Sequence, residues 1–145
     1  MAILLFDPQW IIDRLKDRVP ALKWIGGAAD FAAAAEGLKQ SPAAFVLPSA
    51  ERATGSSTGT LVTSQLNTAR FAVAMAVQNL RDSRGEAAHA DLRTLRTDIM
   101  TALHGWQPNA DFDPIEFGGG RLLQLNNQVL WWQDDFLTSN LLRSL

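Results

Sequence analysis

Residues 68–80, TARFAVAMAVQNL, constrain the fold of this chain more than any other stretch. Phe71, Val73, Met75 and Val77 recur at every second position, and Ala72, Ala74 and Ala76 fill the gaps. That alternation is a β-strand with large side chains on one face and methyl groups on the other. A face made of alanines leaves room for a closely packed neighbour such as a helix. A charged segment follows (Arg81, Asp82, Ser83, Arg84, Gly85). Beyond it Ala88, Leu92, Leu95, Ile99 and Leu103 step by three or four residues, one apolar face of an α-helix. Ser83 and Glu86 have the spacing of a capping box, and Gly105 stands where the helix should end. A central strand feeding an amphipathic helix belongs to an α/β or α+β domain.

The remaining segments are arranged around that unit. Asp7-Pro8 is a helix start, with a side-chain acceptor at the cap and proline at the first helical position. The helix should run to about Val19, with Ile11, Ile12, Leu15 and Val19 inward, and stop at Pro20. Residues 22–25 read as a short strand closed by Gly26-Gly27, and 28–38 as an alanine-rich helix. Pro42 and Pro48 bracket a brief strand, AAFVL. Residues 49–64, rich in Gly, Ser and Thr, read as a flexible exposed loop at the tip of a hairpin. Phe112, Ile115 and Phe117 suggest another short strand. Leu122, Leu123 and Leu125 lead into Asn126-Asn127, residues suited to a two-residue hairpin turn. The returning strand, 129–136, puts Leu130, Trp132, Asp134 and Phe136 on one face and Val129, Trp131, Gln133 and Asp135 on the other. The apolar tail around Leu137, Leu141 and Leu142 either closes the core or reaches a neighbour. The expectation is one α+β domain over residues 1–145, with a mixed or antiparallel sheet of five or six strands packed against three helices.

The residues that carry chemistry elsewhere are sparse here. A net charge of −2, with 13 Lys and Arg that never form a run of three, gives no stripe for tracking phosphates, so no nucleic-acid partner is expected. There is no cysteine, hence no disulfide and no thiolate metal site. MAILLFDPQW lacks a basic leader and a cleavage site, and no apolar run approaches the roughly 20 residues of a membrane span. His89 and His104 lie 15 positions apart, without metal-binding spacing. Asp134 and Asp135 point to opposite faces of a strand, a poor catalytic dyad, and Asp111, Asp113 and Glu116 show no ligand pattern. Gly118-Gly119-Gly120 runs into Arg121 and leucines rather than opening a helix, which favours a β-bulge or tight turn over a phosphate loop. No catalytic, metal or cofactor residues are expected. An enzyme or ligand-binding domain would need a convergent polar pocket that these residues do not supply. Five tryptophans are many for 145 residues, and Trp131 and Trp132 must face opposite ways. One can join the core; the other needs a covering helix or a partner chain.

In order along the chain, several segments resemble the tail terminator proteins of long-tailed bacteriophages. They are the helix after Asp7-Pro8, ADFAAAAEGL (29–38), PAAFVLP (42–48), the loop ending near Gln65, AVAMAVQNLRDSRGEAA (72–88), ALHGWQP (102–108), DPIEFGGGRLL (113–123) and LWWQDDF (130–136). The likeness spans nearly the whole chain and rests on order and spacing, since each piece alone is a turn or an apolar run. It implies a β-sheet packed with helices and assembly into a hexameric ring. That ring would cap the head-proximal end of the tail tube, end tube polymerisation and present a surface to the head-tail connector. It further implies a virion protein made in the bacterial host cytoplasm. Its partners would be itself, the tail tube protein and the connector protein, with no membrane and no cofactor. Loop 49–64 would be mobile in a free subunit and ordered on assembly. A closed ring needs two different patches that meet head to tail. An edge strand and the hairpin carrying Trp131, Trp132 and Phe136 are the candidates, with Arg70, Arg81 and Arg121 as charged contacts. The alternatives are another head-tail connector or completion ring, and the terminator of a contractile tail or tail-like injection device.

Overall fold

The computed structural model describes residues 3–78, 86–126 and 129–144. The chain opens with α1 (Pro8–Arg18), whose cap is Asp7: its side chain accepts from the Gln9 amide at 2.9 Å. The amphipathic pattern holds, with Ile11, Ile12, Leu15 and the following Val19 all buried. Then come β1 (Trp24–Gly26), α2 (Ala28–Glu36), β2 (Ala43–Ala53), β3 (Ser64–Gln78), α3 (Glu86–Leu103), β4 (Glu116–Asn126) and β5 (Val129–Arg143). The five strands form one sheet in the order β1-β2-β3-β5-β4. β1 is parallel to β2, and every other pairing is antiparallel. The fold is α+β, a mixed sheet between helices.

β3 lies at the centre, and its two faces define two cores. Phe71, Val73, Met75 and Val77 meet α1 and α3 through Ile11, Leu15, Leu92, Leu95, Ile99 and Leu103. Fully burying side chains of this size contributes about 1.5–3 kcal/mol each. Ala74 and Ala76 on the other face make room for Phe45 and Trp131, which α2 covers with Phe31 and Ala34. The alanine face thus admits large rings from the flanking strands, with a small helix laid over them. Phe31 meets Trp131 edge-on at 5.8 Å, and Phe45 stacks beside it at 6.2 Å.

Four boundaries differ from the sequence reading. The first is β5, which runs past Phe136 to Arg143 and takes the expected apolar tail into the sheet as strand paired with β3. β2 does not stop at Pro48: it continues to Ala53, paired with β3 through an irregularity between Pro48 and Ala50. The segment expected as a loop over 49–64 therefore lies outside the strands only across 54–63, where the Thr54 and Ser57 amides still donate to the Leu66 and Ser64 carbonyls, with β3 starting at Ser64. Proline is tolerated there because β1 covers β2 only at Ala43–Phe45, which makes the rest of its outer side an edge. Phe112, Ile115 and Phe117 do not share a strand. Phe112 makes one isolated bridge to Asn140, Ile115 is buried outside the sheet, and Phe117 belongs to β4. The expected cap at Ser83 and part of the Asn126-Asn127 turn lie outside the described residues.

Helix α3 ends as expected, with Gly105 at φ +79° and its amide donating to the Ile115 carbonyl at 2.8 Å. This turn folds Trp106 back onto the core, where the Arg14 guanidinium sits 4.6 Å from its ring and donates to the Ala102 carbonyl. Partial burial, and then the charge of Arg18, lower the Arg14 pKa, with Asp17 opposing. Arginine stays charged regardless.

Candidate interaction surface

The glycine triplet is where the sheet changes character. Between Phe117 and Gly119 the register of β4 against β5 slips by one residue, and Gly119 sits at φ +130°. Residues other than glycine rarely adopt that backbone. The two flanking glycines each face an ion pair, one from either side of the sheet. At Gly120 an added Cβ would collide with the Asp134 carboxylate and crowd Trp132 Nε1 at 3.0 Å. At Gly118 it would press on Arg70 Nη1 at 3.1 Å.

Asp134 is buried on the α3 side. Arg96 binds it with two hydrogen bonds, Nε to Oδ2 at 3.0 Å and Nη2 to Oδ1 at 2.9 Å, and Trp132 Nε1 donates to Oδ1 at 2.8 Å. The guanidinium lies over the Trp132 ring at 4.6 Å. The forked geometry satisfies both carboxylate oxygens, as a buried charge requires. Asp135, on the opposite face, takes a longer contact from Arg70 at 3.4 Å and a bond from Gln133 at 2.9 Å. Two adjacent carboxylates thus serve opposite faces, and each is answered by its own arginine. The arrangement ties α3 to β5 on one face and β3 to β5 on the other. It positions a strand and leaves no free acid–base pair.

Among the described residues no group of three or more His, Cys, Asp or Glu is placed to hold a metal ion. His89 and His104 are exposed, at the two ends of the α3 segment. No helix among the described residues is long and apolar enough to cross a membrane.

What the surface does offer is open strand and uncovered sheet. β4 pairs only with β5, so its outer edge faces solvent with its backbone groups unpaired among the described residues. On its α3 face it exposes Phe117 (40 %), Leu122 (52 %) and Leu125 (49 %). β2 is likewise open along 46–53. The lower half of the α2-side face is bare, because α2 covers only the upper half. Leu66, Leu137 and Leu141 lie there beside Arg52, Arg70 and Arg143, with a groove of about 540 Å³ between 50–54, Thr68, Arg70 and Leu137.

Of the residues singled out from the sequence, Trp131 and Phe136 are buried in their own subunit, under α2 and beside Phe71 respectively. Trp132 is half-buried beneath Arg96. Both tryptophans find covers within the chain, α2 over Trp131 and Arg96 over Trp132, which stays part-exposed. Arg70 is half-exposed and held by Asp135, Arg121 is exposed on β4, and Arg81 lies outside the described residues. The sequence reading missed Arg96. Its signal was Asp134 itself, a carboxylate in register with Leu130, Trp132 and Phe136, which needs a cation from the covering helix.

Fold and surface together define an α+β scaffold with two open sheet edges and no assembled chemical centre among the described residues. The chain belongs to the phage tail terminator protein family, whose model matches residues 1–144. No curated protein matches it.

Proposed function

We propose that this tail terminator works as a hexameric ring seated on the head-proximal end of the tail tube. There it ends addition of tube subunits and provides the surface to which the head-tail connector attaches. The family match over residues 1–144 carries this reading. The physical features that support it are the two different open edges, β4 and the outer side of β2. A heterologous ring needs two unlike patches on each subunit, and a chain with self-complementary patches would close as a dimer. Exposed apolar residues concentrated on β4 and on the bare half-face are also what a subunit of a larger assembly retains.

The tube would meet one rim of such a ring and the connector the other. Loop 54–63, with Leu61 fully exposed, is suited to ordering against one of them. Amide exchange equally fast in the assembled ring and the free subunit would contradict that role. The ring itself is tested by adding purified protein to tail tubes and imaging the tube ends. A ring at one end of each tube, with tubes no longer growing, is the expected result. Tubes that stay bare and continue to elongate would overturn it. Binding at the opposite end, or engagement of a sheath, would move the assignment to another completion ring or to a contractile device.

A further inference from the structure

We infer that β4 is the strand by which one subunit joins the next, pairing antiparallel with the outer edge of β2 in a second copy, with Glu116 opposite the neighbour's Arg52. This rests on the ring reading above and names the contact that closes it.

Three observations lead to that pairing. The first is availability. The sheet ends at β4 on one side, and on the other β1 covers β2 only at Ala43–Phe45, leaving 46–53 free. Unpaired strand edges are the surfaces that most readily recruit another strand.

Direction is the second. β4 and β3 both run against β5, and β3 runs against β2, so β4 and β2 point opposite ways within one subunit. Rotation about an axis along the strands keeps that sense in every copy. β4 of one subunit therefore meets β2 of the next antiparallel, the more stable arrangement per residue. β4 against β4 would instead demand a two-fold axis and close as a dimer.

Register is the third. Glu116 and Arg52 are both exposed, both on the α2-side face, and of opposite charge. Setting them opposite each other keeps faces matched along the pair, because each strand skips one residue: Gly118 in β4 and Ser49 in β2. Gly119 then falls opposite Ala50, Gly120 opposite Pro48 and Arg121 opposite Leu47 of the neighbour. Small residues line the closest approach. Pro48, which lacks an N–H, sits where the paired strand is irregular. Pairing stops near Leu122, since at Phe45 the neighbour's β2 is already taken by its own β1. There β4 has its second irregularity, between Leu122 and Gln124, and Leu122 and Leu125 are left to pack on that β1.

The absence of cysteine makes the test direct. In the Glu116→Cys/Arg52→Cys double variant, facing residues of an antiparallel pair stand about 4.5–5.5 Å apart at Cα, within disulfide reach. Inside one subunit β4 and β2 are separated by two strands, about 14 Å, and cannot be bridged. Oxidation of the assembled protein should give a ladder of covalent oligomers ending at six chains, where each single variant gives at most dimers. A ring that assembles to about 95 kDa, six times 15.9 kDa, yet yields no ladder would overturn this pairing and leave the ring standing. A chain that stays at 15.9 kDa throughout, tubes included, would overturn the ring and this contact together. Charge reversal gives a second readout. Glu116→Arg or Arg52→Glu alone should raise the concentration needed for assembly about threefold, and the double reversal should restore it, as expected when like charges are set opposite across strands and then removed. A double reversal no better than the singles would count against the register.

Discussion

β3 and β4 lie on either side of β5 in the same sheet, and they differ in nearly every physical respect. β3 is paired on both edges and buried from Phe71 to Val77 without interruption, between two helical layers. β4 is paired on one edge, broken by two irregularities, and carries three half-exposed large apolar side chains. Strands of such unequal burial in one sheet imply unequal tasks. β3 supplies the cohesion of the subunit, and β4, paired with β5 and passing close over the Asp134 and Arg70 side chains at its glycines, has its outer side left free.

Substitutions that break this contrast should rank accordingly. The largest loss belongs to β3: Phe71→Ala, in a fully buried site stacked on Phe6 and Phe136, should cost about 3–5 kcal/mol in denaturant unfolding. Asp134→Ala comes next, at about 3 kcal/mol, because it leaves Arg96 and the Trp132 N–H without their acceptor while Arg96 keeps some access to water. A smaller cost, about 1–3 kcal/mol, is expected for Gly120→Ala, whose methyl group meets Asp134 and Trp132. Asp135→Ala should fall within about 1 kcal/mol, since its Arg70 contact is long and partly exposed. At the end of the series Leu122→Ser should change subunit stability by no more than about 0.5 kcal/mol, yet weaken assembly measurably by sedimentation. A Leu122→Ser protein that unfolds readily would place β4 with the core and dissolve the distinction.

Much of this contrast is readable in the sequence, and the unreadable part has identifiable causes. The period-2 run at 71–77 and the three-four stepping from Ala88 to Leu103 announce buried elements, because burial on one side imposes a period. The opposite orientation of Asp134 and Asp135 follows from strand geometry alone. β2 beyond Pro48 does not announce itself: SAERA has no apolar alternation, since both its faces meet solvent or a thin cover. The length of β4 is masked in the same way by three glycines, which leave a β-bulge and a tight turn both open; the register slip between Phe117 and Gly119 is the bulge. Arg96 is hidden for a different reason. It is one charged residue among several on an exposed helix flank, and only the pairing of β5 with that helix reveals the carboxylate it answers.

Backbone amide exchange, compared between the free subunit and the tube-bound assembly, tests the account most directly. β3 amides should be protected equally in both states. Outward-facing amides of 116–121 should exchange rapidly in the subunit and become protected on assembly, together with those of 47–53. Protection of β4 already complete in the free subunit, or unchanged exchange there in the assembled state, would contradict it.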